Sequence, residues 1–187
     1  TVLFMGLYSV PFQLRENPFG ETPDTRFFFQ GQSHEKALKS LVRSIAQRKG
    51  FATLTGASGT GKTLMCRILI KSLEEKGNTA LIFQPFLDGR ELVVAIGQDF
   101  GVFNSRESEG RTFLQLIDEL NRFLVSEASQ NRHSVLIIDD AQSLSAEALE
   151  TLRLLSNLET ETEKLLQIVL VGQPELREVL KRPDLQQ

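Results

Sequence analysis

Eight consecutive residues, Gly56-Ala57-Ser58-Gly59-Thr60-Gly61-Lys62-Thr63, have the types and spacing to hold the phosphates of a nucleotide. They fit the pattern G-x-x-x-x-G-K-[ST] in full. The glycines free the backbone to turn its N–H groups inward, and the positive end of a following helix adds to the attraction for anionic oxygens. Lys62 is then placed for the β- and γ-phosphates, and Thr63 offers its hydroxyl to Mg²⁺. Leu64, directly behind the loop, completes the candidate nucleotide-binding set. A chance match in a chain of this length is on the order of one in a few hundred, given ordinary glycine usage.

A second constellation is Val135-Leu136-Ile137-Ile138-Asp139-Asp140. An apolar run ending in acids is weak by itself, because an aspartate at a strand end is often only a turn or cap. Together with a complete phosphate loop it acquires a role. Asp139 becomes the acid on the metal side, and Asp140 stands where a base for an attacking water belongs.

These residues need elements to hold them. Phe51 to Thr55 predicts a short buried strand running into the loop, and Leu64, Met65, Ile68, Leu69 and Leu73 predict the helix that leaves it. Cys66 in that helix reads as packing. Before the strand, Ser33 predicts the cap of a helix through Ala37, Leu38, Leu41, Val42 and Ile45, ending near Gly50. After it come a turn at Gly77-Asn78, a strand over Ala80–Phe83, a helix over Glu91–Phe100 and a polar loop over Asn104–Gly110. A long amphipathic helix through Phe113 to Leu124 leads to the strand Val135–Ile138, whose unbroken apolar run implies cover on both faces. Ser145 predicts the cap of a helix carrying Leu149, Leu152, Leu155 and Leu158. Leu165–Val171 is a last strand and Pro174–Leu180 a short last helix. Strands alternating with helices predict an α/β fold, a parallel sheet flanked by helices, with ligands at the carboxyl ends of the strands.

Composition limits the alternatives. The 187 residues allow one domain with an appendage, and 41% hydrophobic with 24% charged residues is the balance of a globular protein. No stretch approaches the roughly 18 apolar residues of a membrane span, and the apolar start lacks a basic lead, so a cytoplasmic protein is expected. One cysteine and two histidines supply neither a disulfide nor a metal cluster. A net charge of -3 argues against a protein built to coat nucleic acid. Residues 1–30 differ from the rest: they hold seven of the fourteen aromatics together with Pro11, Pro18 and Pro23. That predicts an extended arm packed on the core, or one docking a partner, ahead of a nucleotide-binding core over 31–187.

The two motifs, the lead-in NPFGETPDTRFFF with GQSHEKAL, and the run LRLLSNLETETEKLLQIVLVGQPELREVLKRPDL resemble the ExeA (general secretion pathway A) family of AAA+ ATPases. Related TniB-like and TnsC-like ATPases serve transposition. The resemblance covers nearly the whole chain. It implies a P-loop NTPase fold of the AAA+, ASCE type, ATP and Mg²⁺ as cofactors, and a homo-oligomer, ring or partial ring. The work implied is assembly of a secretion or pilus apparatus with an inner-membrane partner; the alternative is a nucleotide-gated regulator that binds DNA or a transposase. By position, Gln173 falls where the family senses the γ-phosphate, with a turn residue before Pro174 as the other reading. Gln84 falls where a polar residue restrains the catalytic acid, and Phe29 to His34 either line the adenine side or cap a helix. A fifth strand, a helical lid and the trans-acting arginine are expected beyond Gln187, leaving Arg177 and Arg182 as surface charges. The family usually has glutamate after the metal-side aspartate, where this chain has Asp140, one methylene shorter.

Overall fold

The computed structural model describes residues 25–83, 86–161 and 163–181. In chain order the elements are α1 (Gln32–Ala46), β1 (Phe51–Thr55), α2 (Lys62–Leu73), β2 (Gly77–Ile82), α3 (Gly89–Asp99), α4 (Ser105–Ser108) and α5 (Phe113–Ser129). Then follow β3 (His133–Ile138), α6 (Ala146–Ser156), β4 (Leu166–Gly172) and α7 (Leu176–Leu180). The strands form one parallel sheet in the order β1-β4-β3-β2. Among the described residues no helix is long and apolar enough to cross a membrane.

Side chains alternate across a strand, and the apolar runs of β3 and β4 feed both faces of the sheet. Val135, Ile137, Val169 and Val171 pack against Leu41 and Ile45 of α1 and against Cys66, Leu69 and Leu73 of α2. Leu136, Ile138, Ile168 and Leu170 face the other way. They meet Leu92 and Ile96 of α3, Leu116, Leu120 and Leu124 of α5, and Leu149, Leu152 and Leu155 of α6. Each large apolar side chain so buried contributes roughly 1.5–3 kcal/mol. The two central strands are therefore covered on both faces, and the informative loops leave from their ends and from β1.

Several boundaries depart from the sequence reading, each for a local reason. β1 is an edge strand rather than a buried one, and Phe51 is 42% exposed. α1 starts from Gly31, whose extended backbone is the N-cap, so Ser33 lies inside the helix and caps nothing. α3 begins at Gly89, ahead of the expected Glu91. There Asp88 accepts from the Glu91 N–H at 2.7 Å while the Glu91 carboxylate accepts from the Asp88 N–H at 3.0 Å, a reciprocal cap. The loop over 104–110 contains the short α4, closed by the same device between Asn104 and Glu107. Ser145 does cap α6, accepting from the Ala148 N–H at 3.1 Å. Of the aromatic arm, residues 1–24 lie outside the described residues. Phe29, at 88% exposed, is not packed down.

Gly77 and Asn78 are not a turn but the start of β2, paired with His133 and Ser134. A Cβ on Gly77 would come within 1.9 Å of the His133 carbonyl oxygen, which is backbone and cannot swing aside. Gly77→Ala is accordingly expected to lower the unfolding free energy by roughly 1–3 kcal/mol, read as a fall in the urea midpoint at constant slope. An unchanged midpoint would mean that the two strands do not approach so closely.

Candidate nucleotide-binding site

The loop after β1 is fixed at its root by the Gly56 N–H, which donates to the Gly172 carbonyl at the end of β4, 3.1 Å away. Its curvature needs left-handed backbone at Gly59 (φ +75°) and Gly61 (φ +80°). Inside the loop the Ala57 carbonyl accepts from the Thr60 hydroxyl at 2.8 Å and from the Lys62 ammonium at 2.9 Å. The loop thus folds around its own lysine.

From the first turn of α2 the Thr63 hydroxyl donates to the Asp139 carboxylate at 2.5 Å. Asp139 is only 3% exposed. A carboxylate buried this far is costly unless hydrogen-bonded, and its second oxygen accepts from the Asp140 N–H at 3.0 Å. A hydroxyl and a carboxylate side by side form an oxygen-only donor set, which suits a hard divalent cation such as Mg²⁺. The residues present therefore fit the metal expected from the sequence.

Asp140 is exposed and sits in the left-handed region at φ +52°, a conformation that aspartate tolerates better than most residues. Its carboxylate accepts from the Gln142 side-chain amide at 3.1 Å, and the Gln142 carbonyl oxygen accepts from the backbone N–H of Gln173 at 3.0 Å. Gln142 has no counterpart in the sequence reading. Its only signal there is an amide two residues past an acid.

On the other side of the loop His34 reaches from α1 to the Thr60 carbonyl at 3.0 Å, so its Nε2 carries the proton. The Phe28 ring meets that imidazole edge to face at 5.3 Å. An open depression of roughly 400 Å³ lies here, lined by Phe28, Phe29, Ser33, His34, Gly59, Thr60, Gly61 and Leu64. Of Phe29 to His34, Phe29, Ser33 and His34 line this depression, together with Leu64. Arg177 is exposed and donates to the Thr55 hydroxyl at 2.9 Å, the last residue before the loop. Gln84 and Arg182 lie outside the described residues.

A phosphate loop after one strand, an acid after another and β4 between them define a P-loop nucleoside triphosphatase of the AAA class. The chain belongs to the AAA domain family, whose model matches residues 43–180. It is also 37% identical over 181 residues to General secretion pathway protein A of Aeromonas hydrophila, covering 97% of this chain and 32% of that protein. The chain thus spans about a third of the curated relative it matches. Among solved structures, Cdc6p from Pyrobaculum aerophilum aligns with a TM-score of 0.63 and 20% identity over 90% of this chain and 45% of its own. The ORC2 protein of Aeropyrum pernix, solved as ADPNP-ADP complexes, aligns at 0.55 with 18% identity over 82% and 44%. At such identities the two structures bear on the fold alone. That fold is the expected α/β one.

Cys66, one turn into α2, is 2% exposed, and its thiol is pushed up to about 12 by burial and then by the nearby Asp139 carboxylate. It is therefore packing, not chemistry. At pH 8 a thiol-specific disulfide reagent should modify the folded chain at least ~100-fold more slowly than the urea-unfolded chain, because little thiolate exists and access is blocked. Equal rates would put the thiol at the surface.

Proposed function

We propose that this chain is a Mg²⁺-dependent ATP-hydrolysing module whose turnover energises or regulates assembly of a secretion or pilus apparatus in the cell envelope. It would act as a homo-oligomer, ring or partial ring, with an inner-membrane partner. One observation carries the catalytic part: the loop hydroxyl of Thr63 and the buried Asp139 carboxylate share a hydrogen bond of 2.5 Å at the mouth of the phosphate loop. Membership of the AAA family supports the activity. The identity with General secretion pathway protein A supports the secretion role.

In this reading the backbone N–H groups of residues 56–63 hold the phosphates, and Lys62 leaves the Ala57 carbonyl for the β- and γ-phosphate oxygens. Thr63 and Asp139 hold the cation through their oxygens. Bound Mg²⁺ supplies neutralisation of phosphate charge. Asp140 takes the proton of the attacking water, and Gln173 stands at the γ-phosphate. The depression beside Phe28 and His34 takes the base.

Two measurements test this. Isothermal titration of the full chain with ATP and Mg²⁺ should give binding that Lys62→Ala weakens about 10- to 100-fold, the value of a charge-assisted phosphate contact. Equal affinity in the variant would remove the loop from the site. Asp140→Glu should raise steady-state ATP turnover several-fold, because the native carboxylate sits about 1.5 Å further back, and misplacement of about 1 Å costs on the order of a hundredfold. No gain, or a loss, would mean that the shorter acid is already well placed.

A further inference from the structure

Among the described residues the Gln142 amide makes no hydrogen bond to the phosphate loop or to Asp139, yet both ends of it are engaged. We infer that Gln142 is a positioning residue that orients the Asp140 carboxylate against the end of β4, so that the acid and the Gln173 backbone are held as one unit. The inference rests on the reading of Asp140 as the base for the attacking water.

The Gln142 Nε2–H donates to Asp140 Oδ1 at 3.1 Å, and Gln142 Oε1 accepts from the Gln173 N–H at 3.0 Å, across 31 residues of sequence. A primary amide carries a donor and an acceptor on separate atoms of one tip and so makes both bonds at once, whereas an ionised carboxylate or an ammonium could make only one of them. The end of β4 is shaped for that tip. A Cβ on Gly172 would fall 2.5 Å from Gln142 Oε1, 3.1 Å from Leu176 Cδ2 and 3.4 Å from the Gln142 backbone nitrogen, so glycine leaves the amide its place. The backbone around the acid is anchored as well. Residues Ala141–Ser143 form a 3-10 turn, the Ser143 N–H donates to the Asp140 carbonyl at 2.9 Å, and Ala141 is fully buried beneath it. What remains free is the rotation of the exposed Asp140 side chain, and a donated hydrogen bond selects one of its staggered positions.

Because Gln142 meets neither phosphate nor cation in this arrangement, its loss should reach turnover without reaching affinity. The experiment compares the full chain with Gln142→Met, Gln142→Glu, Gly172→Ala, the Gln142→Met/Gly172→Ala pair and Asp140→Asn. It measures kcat and KM for ATP, the Kd for ATP with Mg²⁺, and amide hydrogen exchange at Gln173. Gln142→Met keeps the length and bulk but makes neither bond. It should lower kcat about tenfold, the value of one hydrogen bond, with KM and Kd within twofold, and should speed exchange at Gln173. Gln142→Glu turns an oxygen toward the Asp140 carboxylate and should lower kcat at least as far. Gly172→Ala, whose Cβ would displace the Gln142 tip, should reproduce the defect and add less than its full effect in the Gln142→Met background, since part of both effects runs through the same amide.

Turnover of Gln142→Met within twofold of the parent, while Asp140→Asn is inactive, would overturn the inference and leave the base reading standing. So would a kcat loss matched by lost affinity. Unchanged exchange at Gln173 in Gln142→Met would overturn the bridge whatever the activity. An Asp140→Asn variant with parental turnover would overturn the base reading itself, and this inference with it.

Discussion

The hydrogen bond between the Thr63 hydroxyl and the Asp139 carboxylate is the contact on which the rest of the structure depends. The two residues are 76 apart in sequence and follow strands that are not neighbours, because β4 lies between β1 and β3. They meet only if three parallel strands end at nearly the same level. The register provides this: Thr55 of β1 is opposite Gly172 of β4, and Ile138 of β3 is opposite Leu170. The end of β4 is consequently a crossroads. Its Gly172 carbonyl takes the Gly56 N–H on one side, and the absence of a side chain there admits Gln142 on the other.

That level is held by burial on both faces of the sheet, and burial in turn constrains the chemistry. Asp139 sits at the boundary, nearly inaccessible, so its charge is tolerable only while the Thr63 hydroxyl and the Asp140 N–H stay in place. A buried carboxylate without partners costs several kcal/mol, which is a large part of the 5–15 kcal/mol by which domains are stable. Fold and site are therefore coupled through one residue. The sheet edges are handled separately. At β2 the Leu81 N–H donates to the Asp99 carboxylate at 2.6 Å, which blunts that strand against pairing with another chain.

Legibility followed the distance over which each feature is encoded. The phosphate loop and the acid pair could be read directly, because consecutive residues specify the backbone turn and the strand end. The cover on both faces of β3 was equally plain from the unbroken apolar run Val135–Ile138. The exposure of Phe51 could not be read, since a short strand such as Phe51–Thr55 has the same sequence pattern at the centre of a sheet as at its edge, and only strand order distinguishes them. Gly77 was misread because glycine has two uses. Here it permits close approach to the His133 carbonyl instead of a turn. Ser33 was misread as a cap because a hydroxyl near a helix start resembles one, while the extended backbone of Gly31 begins the helix two residues sooner. Gln142 stayed invisible for the most physical reason: its second partner arrives only when β4 is laid beside β3.

The proposed base also presents a contest between reach and order that magnitudes can decide. An aspartate in place of a glutamate withdraws the carboxylate by about one carbon–carbon bond, and a reacting geometry about 1 Å out costs on the order of a hundredfold, near 2.7 kcal/mol. In return the shorter side chain has one fewer rotatable bond to fix, a saving of under about 1 kcal/mol. The Gln142 bond that orients it adds about 1 kcal/mol more. The sum of the two gains falls short of the loss by something like 1 kcal/mol. Reach therefore outweighs order at this position. On the proposed reading of Asp140 as the base, the Gln142 bridge partly compensates for the missing methylene by steadying a carboxylate that stands back from where a longer acid would place it.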